Sequence, residues 1–450
     1  GCAGDDEEPS EVSGGEAAVV RVPEDADTIN EAVAQSDPGG MVLIGPGTYP
    51  ESVIVDRPDV TVRGADRNET VIDGEGRRPY GVVATAAGVR VENLTVTSHT
   101  FYGVLVTGLH DGDGPVAQED DGYEPFDPEE FPPVQRFSVD HVTAYNNGLY
   151  GIYAFNAQNG VIRDSYASGS ADAGIYVGQC RSCQILVEGN VAERNAIGFE
   201  NSNASDSVVI TGNRFSGNRI GMTLNSDYQE AFVPQQGNTV VGNVISDNRE
   251  PDSPAHAENG FGIGIGTAGG QENLFWANRV EGNPVAGLLL RNIEDLEALA
   301  NVVRDGVFGG NGVDIANVAA NRAPTRATCV DGAGLESTLP AGDGADDGED
   351  RGAGGAGEAA TWYDIGDCDT AGEAADSAPA QPASAADELP DVSPPAGVSF
   401  LDVAPPAPQP TMGDVDEPPE RLLDEVELPS FTDPNVPAED LLADRTGTAS

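Results

Sequence analysis

The chain contains no lysine: its 22 basic residues are all arginine, set against 76 acidic residues, and the formal net charge is −54. Proteins that bind nucleic acids hold the phosphates with surplus Lys and Arg. Anionic lipid headgroups would likewise repel so acidic a surface. The composition therefore excludes nucleic acid as a partner and excludes electrostatic attachment to a lipid surface.

Long apolar runs are also missing. No stretch of about 18 apolar residues occurs, so no segment is predicted to span a membrane. Histidine and methionine are scarce, with four and three copies.

The acidity itself has a physical interpretation. Carboxylates hold water and cations, and their mutual repulsion is screened when the Debye length falls to roughly 3 Å near 1 M salt. The acidic, lysine-free composition resembles that of proteins from extremely halophilic archaea. We therefore expect adaptation to high salt, which concerns habitat and not activity.

The first residues read "GCAGDDEEPSEVSGGE", with Cys2 ahead of a polar, acidic run. The Gly-Cys pair resembles the end of a lipoprotein signal. This implies lipid on Cys2, a flexible linker through residue 18, and an extracellular protein held at the membrane by that lipid alone. A Cys that stands there by accident is the alternative.

The other four cysteines allow three pairings. We predict the disulfides Cys180–Cys183 and Cys329–Cys368, which suit an oxidising compartment. A redox or metal pair is the alternative for the C-x-x-C at Cys180, although a zinc site would need two more ligands nearby.

A short pattern recurs roughly every 23–35 residues through the middle of the chain. Each copy has one strand and then a second, Gly-led strand, such as "YGVLV", "YGIYAF", "AGIYV", "IGFEN", "IGMTL", "FGIGIG" and "AGLLL". Stacking such coils gives a parallel β-helix, which buries a continuous core only after several repeats. Strand alternation predicts these inward pairs: Val104/Val106, Ile175/Val177, Met222/Leu224, Ile263/Ile265 and Leu288/Leu290.

The first strand of each copy ends in a polar residue, mostly Asn. The aligned positions are Asn93, His141, Asp164, Asn190, Asn213, Asn243, Asn278 and Asp305. Asn tolerates left-handed backbone and can hydrogen-bond the neighbouring coil, so we predict a stacked structural column. A row of ligand-binding amides is the functional alternative.

The N-terminal region carries the family resemblance. Residues 23–74 read "PEDADTINEAVAQSDPGGMVLIGPGTYPESVIVDRPDVTVRGADRNETVIDG", in which a helix over "TINEAVAQ" caps the core and short strands follow. This opening resembles that of right-handed parallel β-helix proteins of the pectin-lyase-like type. It is similar to the opening of pectin methylesterases and of the copper-binding family associated with nitrous oxide reductase.

The resemblance implies an all-β fold, a single right-handed parallel β-helix over residues 19–325 with an N-terminal capping helix. Residues 326–450 would be an acidic Gly/Ala/Pro-rich tail, partly disordered, that either stays free or packs on the solenoid. The resemblance does not decide the activity. The Gly-Asp-Phe-Ile-Phe-Gly-like signature of pectin methylesterases is absent, and the four His occur singly.

Outward positions of the second strands bring Tyr153, Tyr176 and Glu200 together, because consecutive coils lie about 4.8 Å apart. Tyr150 flanks them. Exposed tyrosines beside a carboxylate predict a platform for sugar rings, whereas the alternative is that the rings only stabilise neighbouring coils. As catalytic residues, Glu200 and Asp172 are weak candidates, since a hydrolase needs two carboxyls roughly 5–10 Å apart.

An acidic insertion over residues 109–135 interrupts the repeat beside these tyrosines. Its Asp111, Asp113, Asp120 and Asp121 are weak candidates for Ca²⁺, which prefers clustered oxygen ligands. No other cofactor is predicted.

Two functions remain open from the sequence. The first is a cell-surface β-helix protein that binds polysaccharide or a surface protein without chemistry. The second is a carbohydrate-active enzyme, a polysaccharide lyase or glycoside hydrolase, that acts on an extracellular glycan. The sequence favours the binding protein, because no catalytic signature is recognised.

Overall fold

The chain winds through three parallel β-sheets that enclose one apolar core. The computed structural model describes residues 18–111, 114–115, 126–320, 322–335, 338–339, 365–368 and 388–449. Within each sheet, a strand pairs in parallel with its equivalent one coil earlier and one coil later. The predicted all-β parallel β-helix is confirmed.

The first sheet has thirteen strands in the described part of the chain. They are Val19–Val22, Met41–Ile44, Thr61–Gly64, Arg90–Glu92, Val134–Asp140, Ala157–Arg163, Ile185–Glu188, Val208–Thr211, Thr239–Val241, Leu274–Trp276, Val302–Arg304, Thr328–Asp331 and Ile365–Asp367.

The second sheet has ten described strands. They are Gly47–Tyr49, Thr70–Asp73, Thr95–Thr97, Thr143–Tyr145, Tyr166–Ser168, Val191–Glu193, Arg214–Phe215, Val244–Ser246, Arg279–Glu281 and Val307–Gly309.

The third sheet, which carries the candidate site, has eleven described strands. They are Val53–Val55, Tyr80–Ala84, Tyr102–Thr107, Tyr150–Phe155, Ala173–Arg181, Ile197–Ser205, Ile220–Asn225, Ile263–Ala268, Ala286–Arg291, Ile315–Asn317 and Thr338–Leu339.

A short helix closes the N-terminal end of the core, as predicted. It spans Ile29–Gln35, and Thr28 and Glu31 form a reciprocal capping box at its start. Its buried face packs on the first strands. The remaining elements are a short antiparallel pair, His110–Asp111 with Gly114–Pro115, and two 3₁₀ turns, Phe400–Asp402 and Ala443–Arg445. No described helix is long and apolar enough to cross a bilayer.

The core consists of aliphatic and aromatic side chains stacked in columns. One column of the eleven-stranded sheet runs Val104, Ile152, Ile175, Phe199, Met222, Ile265, Leu288 and Ile315 in register, and each side chain is buried. The predicted inward positions are therefore confirmed, with one exception. In "FGIGIG", Ile265 and Thr267 point inward, whereas Ile263 is half-buried and aligns with Ile220.

The predicted Asn column exists over its middle and late coils. Asn190, Asn213, Asn243 and Asn278 are buried, and each side-chain amide donates to the next Asn Oδ1 or to a backbone carbonyl one coil earlier. The amides of the ladder thus hydrogen-bond the backbone carbonyl and N–H groups that are buried at this corner.

The alignment of this column is wrong by one residue elsewhere. Asn93, His141, Asp164 and Asp305 have positive φ and stack with Gly189, Gly212 and Gly242, which precede the ladder residues. His141 therefore lies in the left-handed column and not in the ladder. Gly, Asn, Asp and His all suit left-handed backbone, so residue type alone does not distinguish the two neighbouring columns.

A second ladder was missed. It runs Asn195, Asn218, Asn248, Asn283 and Asn311 at the corner before the eleven-stranded sheet, with the same pattern of amide hydrogen bonds.

Both predicted disulfides are present. Cys180 pairs with Cys183 and Cys329 with Cys368, with Cα–Cα separations of 5.3 and 4.8 Å. They indicate an oxidising compartment. The second one joins strands beyond residue 325, where we expected the repeat to end: Thr328–Asp331 pairs with Val302–Arg304, and Ile365–Asp367 adds a further strand.

Residues 388–449, here called the strap, lie in extended form against the solenoid. Eight arginines of the described coils donate to strap carbonyls, each at 2.7–3.2 Å: Arg63, Arg67, Arg90, Arg136, Arg194, Arg214, Arg219 and Arg279. The strap forms little regular secondary structure, so these side chains satisfy its backbone.

Arg67 is the most buried of these arginines, with no exposed surface. Its guanidinium donates to Thr143 Oγ1, to the carbonyls of Val142 and Asp164, and to the strap carbonyl of Pro410. The planar fork thus joins two coils and the strap.

We expect Asn213→Ala to destabilise the solenoid by about 2–4 kcal/mol, because it removes a buried amide whose nitrogen donates to Val187 and Asn243 and whose oxygen accepts from Asn190. Denaturant unfolding measures this. Gln229→Ala, at an exposed loop position, is the control and should change stability by less than about 0.5 kcal/mol. Equal effects from both variants would contradict the ladder's role.

We expect Arg67→Lys to loosen the strap, because one ammonium cannot span the four acceptors that the guanidinium reaches. Limited proteolysis should cut within residues 388–449 faster in this variant, and stability should fall by about 2–4 kcal/mol. Arg77→Lys, at an exposed ion pair, is the matched control. A strap that stays equally resistant in both variants would refute the assignment.

Candidate functional site

The outer face of the eleven-stranded sheet is flanked by long connections on both edges. Residues 126–133, 226–238 and 292–301 leave the sheet on one edge, and residues 247–262 enter it on the other. Some of these connections contact one another: Tyr228 donates to Asp295 at 2.7 Å, and the rings of Phe126 and Phe232 lie 5.9 Å apart.

The register places the predicted residues side by side. Tyr153, Tyr176, Glu200 and Thr223 occupy the same outward position on four successive coils. The ring centroids of Tyr153 and Tyr176 lie 4.7 Å apart, and Tyr150 stacks on Tyr153 at 4.3 Å. The predicted neighbourhood is present.

The predicted exposure is wrong in part. Tyr176 is 1% exposed, and Tyr150 and Tyr153 are half-buried. Phe126 and Phe131 of the insertion pack onto the cluster formed by Leu109, Phe155 and Tyr176. Much of each ring face is turned onto another ring, so the row offers edges and hydroxyls more than a flat platform.

Asp172 and Glu200 form a carboxyl pair. Asp172 immediately precedes the strand Ala173–Arg181, and its side chain is hydrogen-bonded to Glu200 and to Tyr150. Two carboxyls can share a hydrogen bond only if one of them holds a proton. Burial raises the pKa of Glu200 well above its usual range, and the charges of Asp172 and Glu230 raise it further.

The pair titrates as a unit. Burial also raises the pKa of Asp172, but the hydrogen bond from Tyr150 opposes this rise. The shared proton therefore resides on Glu200, and Asp172 accepts.

A third carboxyl, Glu230, joins the pair from the connection 226–238. Ser202, two residues after Glu200 on the same strand face, donates to Glu230 at 2.6 Å. Burial, followed by the charges of Asp227 and Asp172, raises the pKa of Glu230 from 4.5 to about 7, against the lowering effect of Ser202. Glu230 thus exchanges its proton near neutral pH.

His256 approaches from the opposite edge, in the connection 247–262. Its Nδ1 accepts hydrogen bonds from the backbone N–H groups of Glu258 and Gly260, so the proton of the neutral ring is on Nε2. Burial lowers its pKa, while the nearby charge of Asp172 opposes this. Sequence reasoning missed both Glu230 and His256, because neither belongs to a repeated strand.

Three buried polar atoms in the column lack a hydrogen-bond partner. They are Tyr176 Oη, Glu200 Oε2 and Thr223 Oγ1, on three successive coils. A buried polar atom without a partner costs about 1–3 kcal/mol unless something else satisfies it. The arrangement is therefore suited to a ligand that brings hydroxyl groups.

Comparisons with known proteins give a partial family match and distant structural likenesses. Residues 48–257, under half of the chain, match the family model described as periplasmic copper-binding protein (NosD). No curated protein matches the chain.

Among solved structures, the A-module of mannuronan C-5 epimerase AlgE4 from Azotobacter vinelandii is 17% identical over 66% of this chain and 86% of its own, with a TM-score of 0.45. The pectate lyase Pel9A is 14% identical over 72% of this chain and 78% of its own, with a TM-score of 0.42. At such identities the likeness concerns the fold.

The described residues do not fit a copper centre. Their four cysteines are in disulfides, Met41 and Met222 are buried in the core, and the third methionine, Met412, lies half-buried in the strap. Asp140, His141 and Asp164 bring ligand atoms within 4.8 Å of one another. However, the Asp140 oxygens already accept from His141 Nδ1 at 2.5 Å and from Arg163 at 2.8 Å.

Only His141 Nε2 and the Asp164 carboxylate then remain, and Arg445 lies 3.9 Å from Asp164. Copper favours several imidazole or sulfur donors. Of the Ca²⁺ candidates, Asp111 is exposed, and Asp113, Asp120 and Asp121 lie outside the described residues, as does Cys2. These assignments stay predictions.

We expect Glu230→Gln to be more stable relative to wild type at pH 9 than at pH 5. The folded protein holds this proton more tightly than the unfolded chain, since the pKa rises from 4.5 to about 7. The stability that the protonated group contributes is complete below pH 4.5 and is lost as the pH rises through 7.

The change should be about 1–2 kcal/mol, less than the ~3 kcal/mol of a fully buried group, because Glu230 partly reaches solvent. Thermal unfolding of both proteins across this pH range measures it. Glu129→Gln, at an exposed position, is the control for removal of a carboxyl. A pH-dependent difference for Glu230→Gln no larger than that of the control would contradict the assignment.

Proposed function

We propose that this protein is a carbohydrate-active enzyme that binds an extracellular polysaccharide on the outer face of the eleven-stranded sheet. The observation that supports it is the carboxyl pair Asp172 and Glu200, in which burial raises both pKa values, beside the tyrosine row and buried polar atoms without a partner. A protein that only binds glycan has no need of a carboxyl whose pKa is raised by burial and by neighbouring carboxylates.

The roles follow from the arrangement. Glu200 donates its proton to the glycosidic oxygen as the bond to carbon breaks. Asp172, whose side chain is hydrogen-bonded to Glu200 and to Tyr150, positions the proton.

Glu230 is the better second carboxyl. Ser202, which donates to it at 2.6 Å, lies two residues along the strand from Glu200 and on the same face. Hydrolysis by two carboxyls needs them roughly 5–10 Å apart, on either side of the bond that breaks. Near its pKa of about 7, Glu230 takes the proton of the attacking water.

The location belongs to the same proposal. Two disulfides suit an oxidising compartment, and lipid on Cys2 would hold the protein at the cell surface. The net charge of −54 favours activity at high salt, where repulsion among the protein's own carboxylates is screened.

We expect Glu200→Gln to lose at least about 100-fold in product release, the usual contribution of a general acid, while it still retains glycan. The assay is a panel of neutral and acidic polysaccharides at molar salt, with retention and product release scored separately. Glu188→Gln, on the thirteen-stranded sheet of the same coil, is the matched control and should keep both.

Retention without product release by the wild-type protein on every polysaccharide would leave a binding protein and would overturn the enzymatic proposal. Loss of retention in Glu200→Gln, with cleavage by wild type intact, would move Glu200 from proton donor to binding residue.

A further inference from the structure

The aromatic row extends well beyond the predicted platform. Tyr80, Tyr102 and Tyr150 occupy the same position on three successive coils of the eleven-stranded sheet. Their centroids lie 5.7 and 5.9 Å apart along the row. Tyr102 also lies 4.8 Å from Tyr153, which connects this row to the carboxyl pair.

Phe101 ends the row differently from the tyrosines. It is 45% exposed, whereas Tyr80 and Tyr102 beside it are half-buried. Its centroid lies 6.4 Å from that of Tyr80 and 6.0 Å from that of Tyr102, with tilted planes. The two tyrosines thus support one side of the phenyl ring and leave much of it open to solvent.

We propose that Phe101, supported by Tyr80 and Tyr102, is a distal subsite that holds an uncharged sugar unit of a linear polysaccharide running along the solenoid axis from Glu200. This inference rests on the proposed function and adds the substrate class and the direction in which the glycan lies.

The spacing fits such a chain. Tyr102 is three coils before Glu200 in the sheet, a distance of roughly 14 Å at about 4.8 Å per coil. One coil rises by close to the length of one sugar unit in an extended chain. An oligosaccharide of two or three units held at Glu200 therefore does not reach Phe101, and one of five or more units does.

The charges around the path favour an uncharged glycan. Asp172, Glu200 and Glu230 meet at one end of the row, with Glu258 nearby. Three arginines near this end have contacts of their own. Arg181, at the end of the strand Ala173–Arg181, lies over the Phe232 ring at 5.5 Å. Arg291 lies 3.6 Å from Glu258, and the buried Arg219 donates to Ser253 and to strap carbonyls. A polyuronate would place its carboxylates against this acidic end without compensation.

The test compares oligosaccharides of two to eight units. The probes are cello-, xylo- and manno-oligosaccharides, with oligogalacturonates as the acidic counterpart, and affinity and turnover are measured at molar and at low salt. Phe101→Ala should weaken binding of the longer neutral probes about fivefold to tenfold, the size of one aromatic contact, and leave the shortest unchanged. Phe101→Tyr should restore it.

Trp276→Ala is the matched control, because this ring lies on the thirteen-stranded sheet under Arg304. Thermal unfolding of each variant checks that the fold is intact. The control should leave every affinity unchanged.

The outcomes separate the two proposals. Suppose that wild type cleaves the probes, and that Phe101→Ala loses affinity equally at all lengths or not at all. This result overturns the distal subsite and leaves the enzymatic proposal standing. Tighter binding of oligogalacturonates than of neutral probes at low salt overturns the substrate class. Failure of wild type to bind or cleave any probe overturns both for these glycans.

Discussion

The register between coils is the constraint on which the rest depends. Each strand pairs in parallel with its equivalent one coil away. The register therefore decides which side chains stack on one another in each column. A slip by one residue would turn a whole strand inside out. The buried Asn ladders at the corners oppose such a slip, since each amide is matched to one carbonyl and one amide of the adjacent coils. The same register stacks Tyr153, Tyr176 and Glu200 into one column.

Sequence reasoning succeeds where the repeat carries the information and fails where residue types are interchangeable. Alternation in "YGIYAF" and "IGMTL" is sufficient to predict the inward side chains. In "FGIGIG" two overlapping Ile-Gly pairs fit the pattern equally well, and only the pairing of Ile265 with Met222 decides between them. The confusion of Asp164 with the ladder has the same origin, because the left-handed column and the ladder column are adjacent and accept similar residues.

For a related reason, the sequence predicts the strand residues of the candidate site but not their burial or the residues on connections. Tyr153, Tyr176 and Glu200 come from strands, so spacing places them correctly. Their burial does not follow from spacing, because it depends on how Phe126 and Phe131 of an insertion fold back. Glu230 and His256 come from connections of irregular length, and no periodicity locates them. The proton shared by Asp172 and Glu200 is likewise a consequence of packing, since the same residues facing solvent would both be ionised.

The strap bears on which face is functional. Its hydrogen bonds reach arginines of the other two sheets and of the corners, from Arg63 near the start to Arg279 near the end. These guanidinium groups are scarce in a chain with 22 basic residues. Eight of them donate to strap carbonyls, and five of the eight also pair with a carboxylate of the solenoid: Arg63, Arg90, Arg136, Arg194 and Arg279. Two faces of the solenoid thereby receive a second layer of chain. Over the coils from Tyr80 to Thr223, no hydrogen bond of the described residues joins the strap to the strands of the eleven-stranded sheet. The tyrosine row and the carboxyl pair therefore keep their access to a ligand.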